Sequence, residues 1–342
     1  MDSMRVLVIG AGAIGSVFGG LLARAGHKVS LVGRQAHMAA IAGRGLEIRG
    51  IWGEHRVSNL MTFTSTEEVP EQRFDLVLIT TKSYGTGQAV HQSYPLVSPD
   101  TIVVSLQNGL GNVELIAEAV GPARTLAGRV IFGVELHAPG HVEVTVYQDK
   151  VMLGSPTRAV PQQRVEAIAQ AFTEAGIPSE PTLEIEKYIW GKVLYNCCLN
   201  PLSALLECHY GELAEHDETR EIMSQVIAET FAVALRKGVT SMWEKPEDYE
   251  RLLLTRLIPD TYAHHSSMLQ DVKRGRKTEI DSLNGAIARL GGELGLDTPT
   301  NTLLTRLIKA KEQLQSQDST SGLLQAQTPN SRSSSLMGRL PA

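Results

Sequence analysis

The sequence predicts an α/β domain built on a parallel sheet, followed by a domain that is entirely helical. The continuous apolar run Arg5–Ile9 suits a strand that is buried on both faces of a parallel sheet. It leads directly into the glycine loop Gly10–Gly15 and then into a helical pattern. From Glu184 to Gln315 the pattern is helical, without the alternation that marks strands. These three observations predict the order of the two domains.

The segment Ile177–Thr182 contains two prolines and separates the two patterns, so we take it as the link between the domains. The predicted α/β domain therefore covers residues 1–182, and the predicted helical domain covers residues 183–315. The last segment, 316–342, is rich in Ser, Gln, Asn and Thr and has few apolar clusters. This composition predicts a disordered tail, because it offers too little apolar surface for a core.

Composition limits the classes of partner and the compartment. Of 342 residues, 42% are hydrophobic, and the net charge is −5, which argues against nucleic acid or an anionic membrane as the main partner. No apolar window is long enough to span a bilayer. The three cysteines, Cys197, Cys198 and Cys208, match neither a disulfide framework nor a metal-site spacing. We therefore expect free thiols, a cytoplasmic protein and no metal site.

The loop Gly10–Gly15 spells Gly-x-Gly-x-x-Gly between a predicted strand and a predicted helix. In that setting Gly10 permits a tight turn, Gly12 lets a pyrophosphate approach the backbone, and Gly15 lets the helix pack closely against the strand. Phosphates would lie against free N–H groups at the positive end of the helix. The motif therefore predicts a Rossmann-type dinucleotide site, with a purely structural turn as the alternative. The cofactor-binding residues predicted in this loop are Gly10, Ala11, Gly12, Ala13, Ile14 and Gly15.

The end of the next predicted strand, His27–Val32, indicates which nucleotide binds. A site for NAD carries an acidic residue there, which holds the ribose 2′-hydroxyl. Here the strand is followed by Gly33-Arg34-Gln35, with no acid. The planar guanidinium of Arg34 suits a 2′-phosphate. We therefore predict NADP(H) as the cofactor, the alternative being an ordinary surface arginine.

Two further apolar strands end in polar residues. The run Phe74–Lys82 ends at Lys82, and the run Thr101–Gly109 ends in Gln107-Asn108-Gly109. Ligands of open α/β sheets lie beyond the carboxyl ends of the strands, so we expect Lys82 and Asn108 beside the cofactor. The alternatives are an ordinary strand-end lysine and a turn formed by the Asn-Gly pair.

Other strand signals predict antiparallel additions to the sheet. The segment Gly45–Val57 has the pattern of a hairpin or of short irregular strands. The segment Arg129–Val146 has the pattern of a hairpin that turns at Ala138–Gly140. The segment Val151–Gly154 is predicted as a last short strand. A helix from Pro161 to Ala175 follows it.

Lys192, Asn196 and Asn200 recur every four residues in the apolar segment Tyr188–Leu206. At helical spacing they lie on one face, and buried polar side chains are costly unless they are paired. A cation and two amides in such a stripe indicate the wall of a cleft, the alternative being a face exposed to solvent. Pro201 is expected to kink or interrupt this helix because it has no N–H to donate.

Two later segments carry polar residues whose spacing has a structural explanation. Ser267 with Gln270 spells a capping box, and so does Thr278 with Asp281. Glu279 would be a favourable acid in the first turn of the second helix. Spacing alone therefore favours helix capping for both segments.

Together with the glycine loop, these segments resemble the ketopantoate reductases (2-dehydropantoate 2-reductases) over about residues 4–315. The most specific matches are Trp190–Pro201, Ser266–Asp271 and Thr278–Asp281. The resemblance implies a Rossmann domain joined to an all-helical domain like the C-terminal domain of 6-phosphogluconate dehydrogenase, with the active site between them. In that family NADPH reduces the 2-oxo group of 2-dehydropantoate to pantoate, a step toward pantothenate and coenzyme A.

The resemblance also implies roles for single residues. Lys192 would be the general acid, and Glu279 would position that lysine and the substrate. The substrate-binding residues implied are Asn108, Lys192, Asn196, Asn200 and Ser267. The cofactor-binding residues expected outside the glycine loop are Arg34, Lys82, Asn108 and Glu279. The chain departs from the family at His264, where members often carry an asparagine that contacts the substrate.

The chemistry of a ketone reduction agrees with those roles. Hydride delivery leaves negative charge developing on the carbonyl oxygen, which requires a proton donor within reach. A charged lysine stabilises that oxygen and then donates. We therefore expect an NADPH-dependent reductase of 2-dehydropantoate, with a homodimer as a candidate assembly. The alternatives are a reductase of another small 2-oxo acid, which His264 leaves open, and a non-catalytic NADP(H)-binding regulator.

Overall fold

The computed structural model describes residues 3–70 and 73–326, with side chains described as far as residue 315. Within that part of the chain a sheet of ten strands organises the N-terminal half. Its strands are β1 (Arg5–Ile9), β2 (Lys28–Val32), β3 (Leu46–Gly50), β4 (His55–Val57), β5 (Leu60–Phe63), β6 (Leu76–Ile79), β7 (Ile102–Ser105), β8 (Thr125–Ala138), β9 (His141–Gly154) and β10 (Ser179–Pro181). The α-helices between them are α1 (Ala13–Arg24), α2 (Gln35–Arg44), α3 (Thr86–Ser93), α4 (Asn112–Val120) and α5 (Gln162–Glu174).

In the described part of the sheet, six strands run parallel through the centre in the order β5-β2-β1-β6-β7-β8. Numbered along the chain, this is the order 3-2-1-4-5-6 of a Rossmann sheet. The strand order reverses between β1 and β6, and ligands of such sheets bind beyond the carboxyl ends of the strands at that point. The predicted α/β class is therefore confirmed, and the glycine loop that follows β1 lies at this switch point.

Beyond β8 the sheet continues with strands that are partly antiparallel. The predicted hairpin at Ala138–Gly140 is confirmed as β8 and β9, each fourteen residues long. The segment Val151–Gly154 is the end of β9 rather than a separate strand. The other predicted hairpin is confirmed as β3 and β4, and β3 extends the sheet beside β9. Strands β5 and β10 have no predicted counterpart, and β10 lies inside the segment taken as the link.

The second half of the molecule is helical, and residues 182–326 of the described chain contain no strand. Its α-helices are α6 (Ile185–Leu206), α7 (Tyr210–Leu213), α8 (Asp217–Lys237), α9 (Pro246–Leu252), α10 (Ile258–Asp260), α11 (Ser267–Lys273), α12 (Asn284–Leu294) and α13 (Pro299–Ala326). The predicted all-helical second domain is confirmed. Among the helices described, none has the length and apolar character that crossing a membrane requires.

The last helix differs from the expectation for the end of the chain. Helix α13 continues through residues 316–326, where the sequence predicts a disordered tail. Near its start, the side chains of Leu304, Thr305 and Ile308 are buried. The rest of the predicted tail, 327–342, lies outside the described residues.

Helix α6 is the central element of the helical half, and much of its surface is buried. It runs as one helix with Pro201 inside it, so the interruption that the sequence analysis allowed for does not occur. Pro201 has no N–H to donate to the carbonyl of Cys197, one turn earlier. That carbonyl instead accepts a hydrogen bond from Nδ2 of the buried Asn284 on α12, at 3.0 Å. The proline is therefore accommodated because a neighbouring helix pairs the carbonyl that it leaves free.

We expect Asn284→Ala to lower the free energy of unfolding by about 1–3 kcal/mol, because a buried carbonyl loses its donor. The loss should be smaller in a Pro201→Ala background, where the N–H of residue 201 can donate to Cys197. Chemical denaturation of the wild type, the two single variants and the double variant measures this coupling. Asn284→Ala also removes the hydrogen bond from Asn284 to Asn301, but it does so in both backgrounds, so that loss cancels in the comparison. Equal losses in the two backgrounds would contradict the explanation.

Candidate active site

The glycine loop between β1 and α1 has the shape that its sequence predicts. Gly10 adopts a φ of +91°, and a Cβ there would lie 2.5 Å from the backbone N of Thr81. A Cβ on Gly15 would lie 2.5 Å from Oγ1 of Thr80, so α1 packs tightly against the sheet. At Gly12 the nearest atom to such a Cβ is 3.8 Å away. Gly12 therefore leaves open the approach to the N-terminus of α1, where unpaired N–H groups favour an anion.

Arg34 lies just after β2, where α2 begins. Its backbone is extended and forms the N-cap of α2. The side chain is exposed, and within the described residues no hydrogen bond or ion pair engages it. Because β2 pairs in parallel with β1, Arg34 lies on the same edge of the sheet as the glycine loop. Its guanidinium is thus available to a phosphate group bound near that loop.

Lys82, which follows β6, meets two carboxylates of the helical half. Its Nζ lies 2.6 Å from Oδ2 of Asp271 on α11 and 3.3 Å from Oε2 of Glu279. The backbone N–H of Ser83 donates to Oε1 of the same Glu279 at 2.9 Å. Burial lowers the pKa of Lys82, but Glu279 and Asp271 outweigh it and raise this pKa above its ordinary value. The two halves of the molecule are therefore joined here by charges that are largely withdrawn from water.

Lys192 projects from α6 toward β8. Its Nζ donates a hydrogen bond to the carbonyl of Val130 at 2.5 Å. Strand β7 ends at Ser105, which pairs with Ala127 of β8. Val130 comes later on β8, so Lys192 reaches the carboxyl edge of the parallel sheet, where ligands of this fold bind.

The charge on Lys192 is set by its surroundings. Burial lowers the pKa of Lys192 to about 8, the charge of Arg129 adds to that effect, and the charge of Glu279 opposes it. Glu279 accepts hydrogen bonds from Lys82 and from a backbone N–H, and in the described chain it accepts none from Lys192. Glu279 therefore acts on Lys192 through its charge alone. Lys192 can exchange a proton near neutral pH.

The two asparagines of α6 lie one and two turns beyond Lys192, and both are buried. Oδ1 of Asn200 accepts a hydrogen bond from the hydroxyl of Tyr210 at 2.7 Å, which leaves its amide N–H groups free to donate. The side chain of Asn196 has no hydrogen bond to any other described residue. A stripe facing solvent, the alternative considered above, is therefore wrong for these asparagines.

Asn108 follows β7 in a loop that touches the helical half. Gly109 has a φ of +85°, and the N–H of Leu110 donates to the carbonyl of Ser282 at 2.8 Å. The backbone carbonyl of Asn108 accepts from Nδ2 of Asn112 at 2.8 Å. Its side chain makes no hydrogen bond within the part of the chain that is described. The amide of Asn108 is therefore available to a ligand at the carboxyl edge of the sheet.

The capping boxes predicted for two segments are not formed. Ser266, not Ser267, caps α11: its backbone is extended and its Oγ accepts a backbone N–H at 2.9 Å. Ser267 is the first helical residue, and its side chain is exposed. Oγ1 of Thr278 accepts the N–H of Ile280 at 3.3 Å, at the start of a short 3-10 turn. Capping therefore does not account for Ser267 or for Glu279.

Two charged residues of the site are absent from the predicted set. Asp271 ends the motif Ser266–Asp271, but an acid in a helix usually faces solvent, so sequence spacing does not indicate a role for it. It is buried against Lys82 and Arg276. Arg129 is 4% exposed and directly precedes Val130, whose carbonyl accepts the hydrogen bond of Lys192. The signal that could have revealed Arg129 is that it is the one charged residue among residues 125–134 of β8, which are otherwise apolar or small.

Two family models match this chain. The model described as "Ketopantoate reductase PanE/ApbA" matches residues 6–157. The model described as "Ketopantoate reductase PanE/ApbA C terminal" matches residues 184–312. Both halves of the molecule are thus similar to the same family, in the same order along the chain.

Relatives and solved structures agree. The 2-dehydropantoate 2-reductase of Aquifex aeolicus (strain VF5) is 41% identical over 309 residues, which are 90% of this chain and 97% of that protein. The crystal structure of a PanE/ApbA family ketopantoate reductase from Ralstonia eutropha JMP134 matches with a TM-score of 0.82 and 32% identity, over 92% of this chain and 100% of that one. The ternary structure of D-mandelate dehydrogenase with NADH and anilino(oxo)acetate matches with a TM-score of 0.83 and 27% identity, over 92% and 99% of the two chains. On this likeness and the fold, the chain belongs to the PanE/ApbA ketopantoate reductase family.

Proposed function

We propose that this protein reduces 2-dehydropantoate to pantoate with NADPH. The observation that carries the proposal is a lysine of lowered pKa, Lys192, at the carboxyl edge of a dinucleotide-binding sheet. Family membership supports the substrate and the cofactor, since the Aquifex aeolicus relative is a 2-dehydropantoate 2-reductase. The reaction is a step toward pantothenate and coenzyme A.

The proposed cofactor is NADPH, and the residues present fit it. Gly12 leaves room for a pyrophosphate at the N-terminus of α1. Arg34, exposed and unpaired among the described residues, is the proposed partner of the 2′-phosphate. The similar D-mandelate dehydrogenase structure contains NADH, so the residue that follows β2 is expected to decide between the two nucleotides.

Bound NADPH supplies a hydride to the carbonyl carbon of the 2-oxo group. Lys192 is proposed to donate a proton to the carbonyl oxygen, so that the C=O group becomes CH–OH and the lysine is left neutral. With a pKa of about 8, Lys192 is charged at neutral pH and gives up its proton more readily than an ordinary lysine. Before the transfer its ammonium stabilises the negative charge that develops on the oxygen.

Glu279 and Lys82 are proposed to organise the charges around the reacting oxygen. Glu279 is held by Lys82 and by the N–H of Ser83, and its negative charge favours the ammonium form of Lys192. The side chain of Lys82 is 33% exposed, so it can also contact the bound nucleotide. Glu279 would then lie between the cofactor and the acid and help to position both.

Neutral polar side chains are proposed to hold the carboxylate and hydroxyls of the substrate. The amide of Asn200 has its oxygen engaged by Tyr210 and its N–H groups free, which suits a carboxylate acceptor. Ser267 is exposed, and its hydroxyl is not used to cap α11 because Ser266 does so. The proposed substrate-binding residues beside Lys192 are Asn108, Asn196, Asn200 and Ser267.

Another small 2-oxo acid is the second candidate substrate, and the position of His264 favours it. Its ring lies 5.2 Å from that of Tyr210, which bonds Asn200. Burial lowers the pKa of His264, so the ring is neutral at neutral pH. An aromatic wall of this kind suits an aromatic oxo acid, and a similar structure is that of D-mandelate dehydrogenase.

A non-catalytic regulator is disfavoured because Lys192 and Glu279 are both present.

Compartment and assembly complete the proposal. We place the protein in the cytoplasm because its three cysteines are free thiols. A homodimer is proposed because Leu303, Leu307 and Leu314 form an exposed apolar stripe on α13. Light scattering of the purified protein measures the mass, and a monomer at all concentrations would contradict the dimer.

Assay of the purified protein with NADPH and a panel of 2-oxo acids tests the proposed function. We expect the highest kcat/KM for 2-dehydropantoate. A clear preference for 2-oxo-2-phenylacetate or another acid would select the second candidate. NADPH binding without turnover of any substrate would support a regulator and contradict both enzymatic functions.

Lys192→Ala should lower kcat by roughly 10²- to 10⁴-fold, because the proton donor is lost. The Kd of NADPH should stay near that of the wild type, as measured by fluorescence titration. Lys187→Ala is the matched control: this lysine lies on the same helix and pairs with Glu184. Near-normal turnover of Lys192→Ala would remove Lys192 as the acid.

Arg34→Ala should weaken the binding of NADPH far more than that of NADH, because only NADPH carries the 2′-phosphate. Titration of the protein with each nucleotide measures the two Kd values. Arg24→Ala serves as the control, since Arg24 is an exposed arginine at the far end of α1. Equal losses for the two nucleotides would refute the assignment of Arg34.

A further inference from the structure

Arg129 is a buried cation whose charge is only partly neutralised. It lies on β8 with 4% of its side chain exposed. Its Nη2 lies 2.8 Å from Oδ2 of Asp149, a side chain that is 54% exposed. Its Nε has no hydrogen-bond partner within the described residues. Burial of an incompletely paired charge is costly, so this position requires an explanation.

Tyr188 covers the guanidinium from the helical half. The central carbon of the Arg129 guanidinium lies 5.2 Å from the centroid of the Tyr188 ring, within cation–π range. Tyr188 precedes Lys192 by one turn on α6, so the two side chains share a face of that helix. The guanidinium of Arg129 therefore contacts the side chain one turn before Lys192 on α6.

The backbone next to Arg129 is irregular at the point where it serves Lys192. The pairing of β8 with β9 changes register between Arg129 and Ile131, and Val130 has no partner in the ladder. Such irregularities can redirect a group toward a site. Here the carbonyl of Val130 accepts the hydrogen bond of Lys192. Adjacent residues of β8 thus supply both the acceptor that orients Lys192 and a like charge beside it.

We propose that Arg129 is a positioning residue that makes Lys192 a stronger proton donor. A nearby cation disfavours the ammonium form of a lysine, and the exposed Asp149 offsets that cation only in part because solvent screens it. The inference rests on the proposed role of Lys192 as the acid. The pKa of Lys192 agrees with it: burial lowers this pKa, and the positive charge of Arg129 lowers it further.

The other charged groups around Lys192 oppose this effect or act indirectly. Glu279, from the turn before α12, favours the ammonium but is bonded to Lys82. Asp271 is engaged by the same Lys82. One turn to either side along α6 the neighbours are an uncharged tyrosine and an uncharged asparagine. Arg129 is thus the charge that acts on Lys192 from the sheet.

A matched pair of variants separates the charge of Arg129 from its packing. Arg129→Met keeps an unbranched side chain against Tyr188 and removes the charge, whereas Arg129→Lys keeps the charge and loses the planar fork. The readout is kcat/KM for NADPH-dependent reduction of the preferred 2-oxo acid from roughly pH 6 to 10. In the wild type this value should fall as the pH rises through about 8, because Lys192 must be protonated to donate.

In Arg129→Met the fall in kcat/KM should move to higher pH by about one unit, because Lys192 holds its proton more tightly. In Arg129→Lys it should stay near the wild-type position. If kcat/KM of Arg129→Met falls at the same pH as in the wild type, or if the two variants shift equally, the inference is overturned.

Asp149→Asn, a change at an exposed side chain, tests the same point if Arg129→Met does not fold. It should shift the fall slightly to lower pH, and no shift or an upward shift would count against the inference.

Lys192→Ala distinguishes a failure of this inference from a failure of the proposed function. If Lys192→Ala abolishes reduction and the Arg129 variants leave the pH profile unmoved, only the role of Arg129 is refuted. If Lys192→Ala reduces the substrate at a near-normal rate, Lys192 is not the acid and both proposals fail. A loss of activity in Lys192→Ala together with the upward shift in Arg129→Met supports both.

Discussion

The contact on which the rest of the site depends is that between the end of β6 and two carboxylates of the helical half. Lys82 and the N–H of Ser83 engage both oxygens of Glu279, and Asp271 takes the same lysine. Both carboxylates are nearly buried, so the loss of Lys82 would leave Glu279 without its paired cation away from water. This pairing holds the turn before α12 against the sheet. It therefore fixes the helical half against the carboxyl edge of the sheet, the edge on which the glycine loop lies.

The same contact shapes the charge of Lys192. Glu279 accepts hydrogen bonds from Lys82 and from a backbone N–H, so within the described chain Lys192 has no carboxylate in direct contact. Its pKa is consequently governed by burial and by the cation Arg129 rather than by an ion pair. A lysine in a close ion pair would keep its proton too firmly to donate it well. The arrangement thus leaves Lys192 charged but able to release its proton near neutral pH.

The order and type of the main elements could be predicted because they follow local patterns. Apolar runs identified the buried strands, and helical periodicity identified the second half. The prediction was weaker where a distant residue decides the outcome. The rule that Pro201 cannot donate holds, yet α6 continues through it because Asn284 pairs the free carbonyl. Strand β10 likewise exists because β9 offers it an edge, and its three residues carry too little pattern to be recognised alone.

The sequence by itself determined the glycine loop, the lack of an acidic residue between β2 and Arg34, and the four-residue spacing of the polar stripe. These features depend on backbone geometry over a few neighbouring residues. Only the tertiary structure decided that the asparagines of this stripe are buried, which lysine holds Glu279, and that Arg129 lies beside Lys192. Burial and the distance between charges are relations among residues that are far apart in the chain. No local pattern encodes them, and they are the quantities that set the acidity of a catalytic group.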